Sequence, residues 1–146
     1  MPSDTPMGQQ GKATSTGNPL DWRGSGRVLV VDDDVAIRIV LTRALAKLGF
    51  TVDASGEGSE AITHFKADPA PYVLALLDFK LPGMSSRDVL SELRSLRPDL
   101  PVILTSGFDQ GVASEESIGL GITGFLHKPF TIQILVDQLR SALRSS

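Results

Sequence analysis

Four short apolar runs, VLVV (Val28–Val31), YVLALL (Tyr72–Leu77), PVILT (Pro101–Thr105) and GFLH (Gly124–His127), each break off at a polar or charged residue. Between them lie stretches whose apolar residues recur at helical spacing. Strands apolar throughout are covered on both faces, so this alternation specifies βα units around a parallel sheet. Thr51–Ala54 adds a weaker strand and brings the count to five. The first helix is expected from about Asp34 to Leu48, with Ile37, Leu41, Ala44, Leu45 and Leu48 on one face and Gly49 as its stop. Ser59–Ala67 turns Ala61, Ile62 and Phe65 inward. SSRD, Ser85 to Asp88, offers a capping box for a helix carrying Val89, Leu90, Leu93 and Leu96. The last helix, Thr131–Leu143, is expected to bury Ile134, Leu135, Leu139 and Leu143. Between Gly107 and Gly121 the residues Gly111, Ser114, Ser117 and Gly119 dilute a helix-sized segment, which predicts a short, weakly held helix.

With 146 residues, 41% of them hydrophobic, the chain can bury one core without staples. Residues 1–26 are rich in Gly, Pro, Ser and Thr and read as a flexible leader or linker, in which only the surroundings of Trp22 have reason to dock; 27–146 reads as the folded domain. Cysteine is absent, which removes disulfides, thiolate metal sites and a thiol nucleophile. A net charge of -3 with scattered basic residues argues against a nucleic-acid surface. No signal-peptide pattern and no membrane-length apolar run occurs, so a cytoplasmic protein without a membrane partner is expected.

In open α/β sheets, ligands bind at the carboxyl ends of the strands. The first strand delivers Asp32 and Asp33 there, the third Asp78, the fourth Ser106 and the fifth Lys128. Carboxylates ~4 Å apart repel by roughly 4 kcal/mol at an effective dielectric of about 20, so the cluster calls for a cation. Three acids without His or Cys favour a hard ion such as Mg2+. Asp34 reads as a helix cap.

The segments VLVVDDD, LLDFKLPGM, ILTSGF and GFLHKPF, in this order, resemble the receiver domain of two-component response regulators. The resemblance implies a flavodoxin-like (βα)5 fold, a doubly wound parallel sheet with strand order 2-1-3-4-5. It implies phosphoryl transfer from a phosphohistidine to Asp78, with Asp33, Asp78 and the backbone carbonyl of Lys80 as Mg2+ ligands and Asp32 acting through water. Ser106 and Lys128 would contact the phosphoryl group; Ser106 is preferred over Thr105 for its spacing to Lys128 and the small Gly107 after it. Phe125 matches the family's switch aromatic, and the Lys128–Pro129 bond is expected to be cis. The implied partners are a histidine kinase or histidine phosphotransfer protein and an unknown downstream protein. No effector-sized segment follows Arg144, so output is expected to run through protein contacts; WRGSG before the first strand resembles the linker of hybrid histidine kinases. SSR stands where the family commonly has Asp-Gly, away from any ligand position. The chain is expected not to be an enzyme beyond promoting its own phosphorylation and dephosphorylation. Two other readings compete: a haloacid-dehalogenase-like phosphatase using Asp32-Asp33-Asp34 as Asp-x-Asp, and a pseudo-receiver that works without phosphorylation. Against the phosphatase, Ala36 stands where Thr or Val is usual and Asp78 would lack a role.

Overall fold

The computed structural model describes residues 18–107 and 121–145. The weak helix expected between Gly107 and Gly121, and most of the leader, lie outside them. Five strands, β1 (Arg27–Val31), β2 (Thr51–Ser55), β3 (Tyr72–Asp78), β4 (Val102–Ser106) and β5 (Gly124–His127), form one parallel sheet in the order β2-β1-β3-β4-β5. The order reverses between β1 and β3, where an open sheet leaves a crevice at the strands' carboxyl ends.

The described helices are α1 (Val35–Lys47), α2 (Gly58–Ala67), α3 (Ser86–Leu96) and α4 (Ile132–Ser145). Period-two alternation in the strands divides the core between two layers. Val28, Val30, Leu74, Leu76, Ile103 and Leu126 pack with Leu41, Leu45 and Leu48 of the α1 segment and Leu135 and Leu139 of α4. Their neighbours Leu29, Val31, Ala75, Leu77, Val102 and Leu104 pack with Ala61, Ile62 and Phe65 of α2 and Val89, Leu90 and Leu93 of α3. Phe65 is fully buried, a contribution of roughly 1.5–3 kcal/mol from its side chain alone. Tyr72 and Leu74 fall in opposite layers although two residues apart, because the β1–β3 register shifts at Arg27/Val28.

Two expected inward residues face solvent. Ile134 is 46% exposed, because α4 turns Leu135, Val136, Leu139 and Ala142 to the sheet and leaves Leu143 at the margin. Leu96 is 37% exposed, as α3 ends there and the chain turns off through Arg97, whose guanidinium donates to the carbonyls of Pro69 and Tyr72.

Local signals set the helix ends. The Asp34 carboxylate accepts the N–H groups of Ala36 and Ile37, and the Ser85 hydroxyl accepts that of Asp88. Gly49 takes φ +106°, while the N–H of Phe50 reaches the Leu45 carbonyl and that of Gly49 the Ala46 carbonyl, a Schellman ending. Ahead of β1, a 3-10 turn (Pro19–Asp21) brings Leu20 and Trp22 onto the α1/α4 layer, with Trp22 6.0 Å from the Phe50 ring. The Gly24 N–H donates to the Leu48 carbonyl, and a Cβ on Gly24 would stand 2.1 Å from Phe50. At the amino ends of the strands, Asp53 accepts from Arg27 and from the Tyr72 hydroxyl. Burial works to raise the Asp53 pKa, but these two donors outweigh it and hold the carboxyl below its usual value.

Among the described residues, no helix is long and apolar enough to cross a membrane.

Candidate functional site

At the carboxyl end of β1 the chain leaves the sheet through Asp32, Asp33 and Asp34, and each carboxylate has a separate place. Asp32 is 1% exposed; its Oδ1 accepts the Asp34 N–H at 2.9 Å and its Oδ2 lies 2.8 Å from Lys128 Nζ. Asp33 is exposed, and Asp34 caps α1. At the end of β3, Asp78 is 4% exposed; its Oδ1 accepts the Lys80 N–H at 3.2 Å and its Oδ2 lies 3.1 Å from Lys128 Nζ. Carboxylate oxygens of Asp32, Asp33 and Asp78 all come within 4.8 Å of one another. Lys128 reaches this cluster from the end of β5; its peptide bond to Pro129 is cis, and its backbone N–H donates to the Ser106 carbonyl at 2.7 Å. Ser106 itself is fully buried, and its hydroxyl has no partner among the described residues.

The electrostatics follow from this crowding. Burial first, then the Asp32 charge, push the Asp78 pKa up to about 6, against the opposing pull of Lys128 and the Lys80 N–H. Burial alone would lower Lys128, yet its contacts with Asp32 and Asp78 raise it, so the ammonium keeps its proton. Three carboxylates against one ammonium leave a surplus of negative charge. An all-oxygen donor set with one member open to solvent suits a hard divalent cation such as Mg2+. The free Ser106 hydroxyl is a buried donor available to an oxygen-rich ligand.

The structure thus brings together Asp32, Asp33, Asp78 and Lys128, with Ser106 on the neighbouring strand. Lys80 is exposed on the loop after Asp78, and Phe125 is half-buried against the α2/α3 layer with its ring 4.7 Å from that of His127. Sequence reasoning missed two supports. Ser86, fixed at the start of α3, donates its hydroxyl to the Phe79 carbonyl at 2.8 Å and so ties the loop after Asp78. Arg38 sends Nη1 to the Asp32 carbonyl at 2.8 Å. Neither belongs to a motif: both bonds end on backbone carbonyls, which every residue offers.

Residues 28–140 match the response regulator receiver domain family. The chain belongs to that family. Response regulator MprA of Mycobacterium ulcerans (strain Agy99) is 38% identical over 122 residues, spanning 82% of this chain and 51% of that protein. A probable transcriptional regulatory protein, TcrX of Mycobacterium tuberculosis, is 37% identical over 117 residues, covering 80% of this chain and 49% of the relative. Among solved structures, the CheY-like receiver domain protein of Methanospirillum hungatei JF-1 superposes with TM-score 0.74 at 28% identity, over 84% of this chain and 96% of that one. The fold is the flavodoxin-like receiver fold, and the domain's place is in two-component signal transduction. The chain spans about half the length of the curated relatives it matches. The expected exclusion of nucleic acid finds no support here, since one relative is named a transcriptional regulator.

Proposed function

We propose that this domain is a phosphoacceptor switch, which takes a phosphoryl group from a phosphohistidine onto Asp78 in an Mg2+-dependent step and thereby alters a partner-binding surface. The observation that carries this reading is the convergence of Asp32, Asp33 and Asp78 within 4.8 Å, with Lys128 bridging Asp32 and Asp78. Asp78 serves as the nucleophile. Ionised above about pH 6, its carboxylate needs no general base. One carboxylate oxygen forms the bond to phosphorus as the P–N bond breaks; the electron pair leaves with the imidazole nitrogen, which takes a proton from solvent. The Lys128 ammonium, 3.1 Å from Asp78, is placed to pair with the transferred oxygens, and the Ser106 hydroxyl to donate to one of them. Asp33 and Asp78, the Lys80 carbonyl and, through water, Asp32 would hold Mg2+, which supplies charge neutralisation on those oxygens when bound.

The added charge draws Ser106 toward the phosphoryl group and vacates room for the half-buried Phe125, a shift between conformations already in equilibrium. In the first turns of α1, which follows the aspartates, Val35, Ile39 and Val40 are 58%, 47% and 58% exposed. They offer an apolar seat for the helix of a histidine kinase or histidine phosphotransfer protein. The domain turns over no substrate other than its own phosphoryl group, and its working compartment is the cytoplasm.

Incubation with phosphoramidate and Mg2+ is expected to add the mass of one base-labile phosphoryl group. Asp78→Ala abolishes the gain and Asp34→Ala keeps it. Turnover of a generic phosphoester would favour the phosphatase instead, and absence of any mass gain a phosphorylation-independent module.

A further inference from the structure

The β1–α1 loop carries two of the three clustered carboxylates, and its backbone is gripped from outside the pocket. The Asp32 N–H donates to the Ser55 carbonyl at 3.0 Å, and the Asp32 carbonyl accepts from Arg38 Nη1 at 2.8 Å. The peptide units on both sides of Asp32 are therefore held, the first by β2 and the second by a guanidinium. Asp33 hangs from that second unit. Lys128 ties the side chains of Asp32 and Asp78 but not that of Asp33, which is exposed. Its aim depends on its backbone.

Two features mark the seat of Arg38 as built for this contact. A cation in the first turns of a helix runs against the helix dipole, so α1 itself gains nothing from it. A Cβ on Gly56 would stand 2.7 Å from Arg38 Nη1, and Gly56 is not among the glycines with positive φ. Room for the guanidinium, rather than backbone conformation, is what glycine supplies there.

We infer that Arg38, seated over Gly56, is a positioning residue for the divalent-cation site, fixing the Asp32–Asp33 peptide and through it the affinity for the ion. The inference rests on the cation-binding reading above. Partners that orient ligands from behind typically change metal affinity by about 10- to 100-fold when removed.

The test is Mn2+ binding followed by the electron paramagnetic resonance of the free ion, with thermal melts and phosphoramidate labelling of each variant. Arg38→Met, which keeps the stem and loses the donor, is expected to raise the Mn2+ dissociation constant about 10-fold. Gly56→Ala is expected to do much the same by displacing Nη1, with little change in melting temperature, because what moves is the far end of a flexible side chain. Arg38→Lys retains a donor and stays within about 3-fold of the parent. Phosphoramidate labelling is expected to half-saturate at about 10-fold higher Mg2+ in Arg38→Met and Gly56→Ala, in step with the Mn2+ dissociation constants. Dissociation constants within about 2-fold of the parent in both Arg38→Met and Gly56→Ala would overturn the inference. So would weakening in Arg38→Met alone, accompanied by a lowered melting temperature. If the parent binds no Mn2+, the cation reading falls and this inference with it; equal binding by parent and variants removes only the inference.

Discussion

Asp78 is held where its charge is least welcome, behind a nearly closed surface and beside Asp32. Its folded-state pKa of about 6 lies above the ordinary 3.8. The folded protein therefore keeps a proton that the unfolded chain would release. That contribution to stability is complete below pH 3.8 and is lost as pH rises through about 6, so the ionised carboxylate weighs against the fold at neutral pH. Asp78→Asn is expected to raise stability at pH 7.5 by on the order of 2 kcal/mol, an advantage that shrinks toward pH 4; urea melts of both proteins across that range, without metal, check it. Under the proposed function the crowding that raises the Asp78 pKa would also serve its reactivity, so that evicting the charge would trade activity for stability.

At the scale of elements, strand ends deliver the chemistry and helix starts hold it in register. Ser86 belongs to α3 but donates to the Phe79 carbonyl, one residue past Asp78. Ser86→Ala leaves that half-buried acceptor unpaired, a loss of about 1–2 kcal/mol in denaturant melts; slower labelling of Asp78 accompanies it, because the loop carrying Lys80 loosens. The strands and their polar endings were legible in the amino-acid sequence because buried parallel strands are apolar throughout and an aspartate after such a run stands out. Helix caps were legible for the same kind of reason: Asp34, Ser85 and Gly49 act through bonds within their own few residues. Faces were less so. Ile134 and Leu96 fit the helical period yet point outward, since periodicity fixes a stripe to within one residue and the neighbours Leu135, Val136 and Leu93 fill the available space. Arg38 and Ser86 left no signal, because their partners are carbonyls of residues distant in type and pattern.

For the molecule as a whole, the surplus of negative charge at one end of the sheet would, on the proposed cation-binding reading, link folding to cation concentration. An ion bound only by the folded state stabilises it by RT ln(1 + [L]/Kd), about 2.7 kcal/mol at one hundred times Kd. The melting temperature is therefore expected to climb with Mg2+ in the parent and to stay nearly flat in Asp33→Ala, which scanning calorimetry at fixed ionic strength would reveal. The other end of the domain is arranged quite differently. Trp22, the chain's one tryptophan, lies on Phe50 where α1 finishes, and α1 has 13 residues, so roughly 20 Å separates it from the aspartates. Its emission is thus a built-in optical gauge of how firmly the segment ahead of β1 is moored to α1 and α4, largely blind to what fills the acidic crevice.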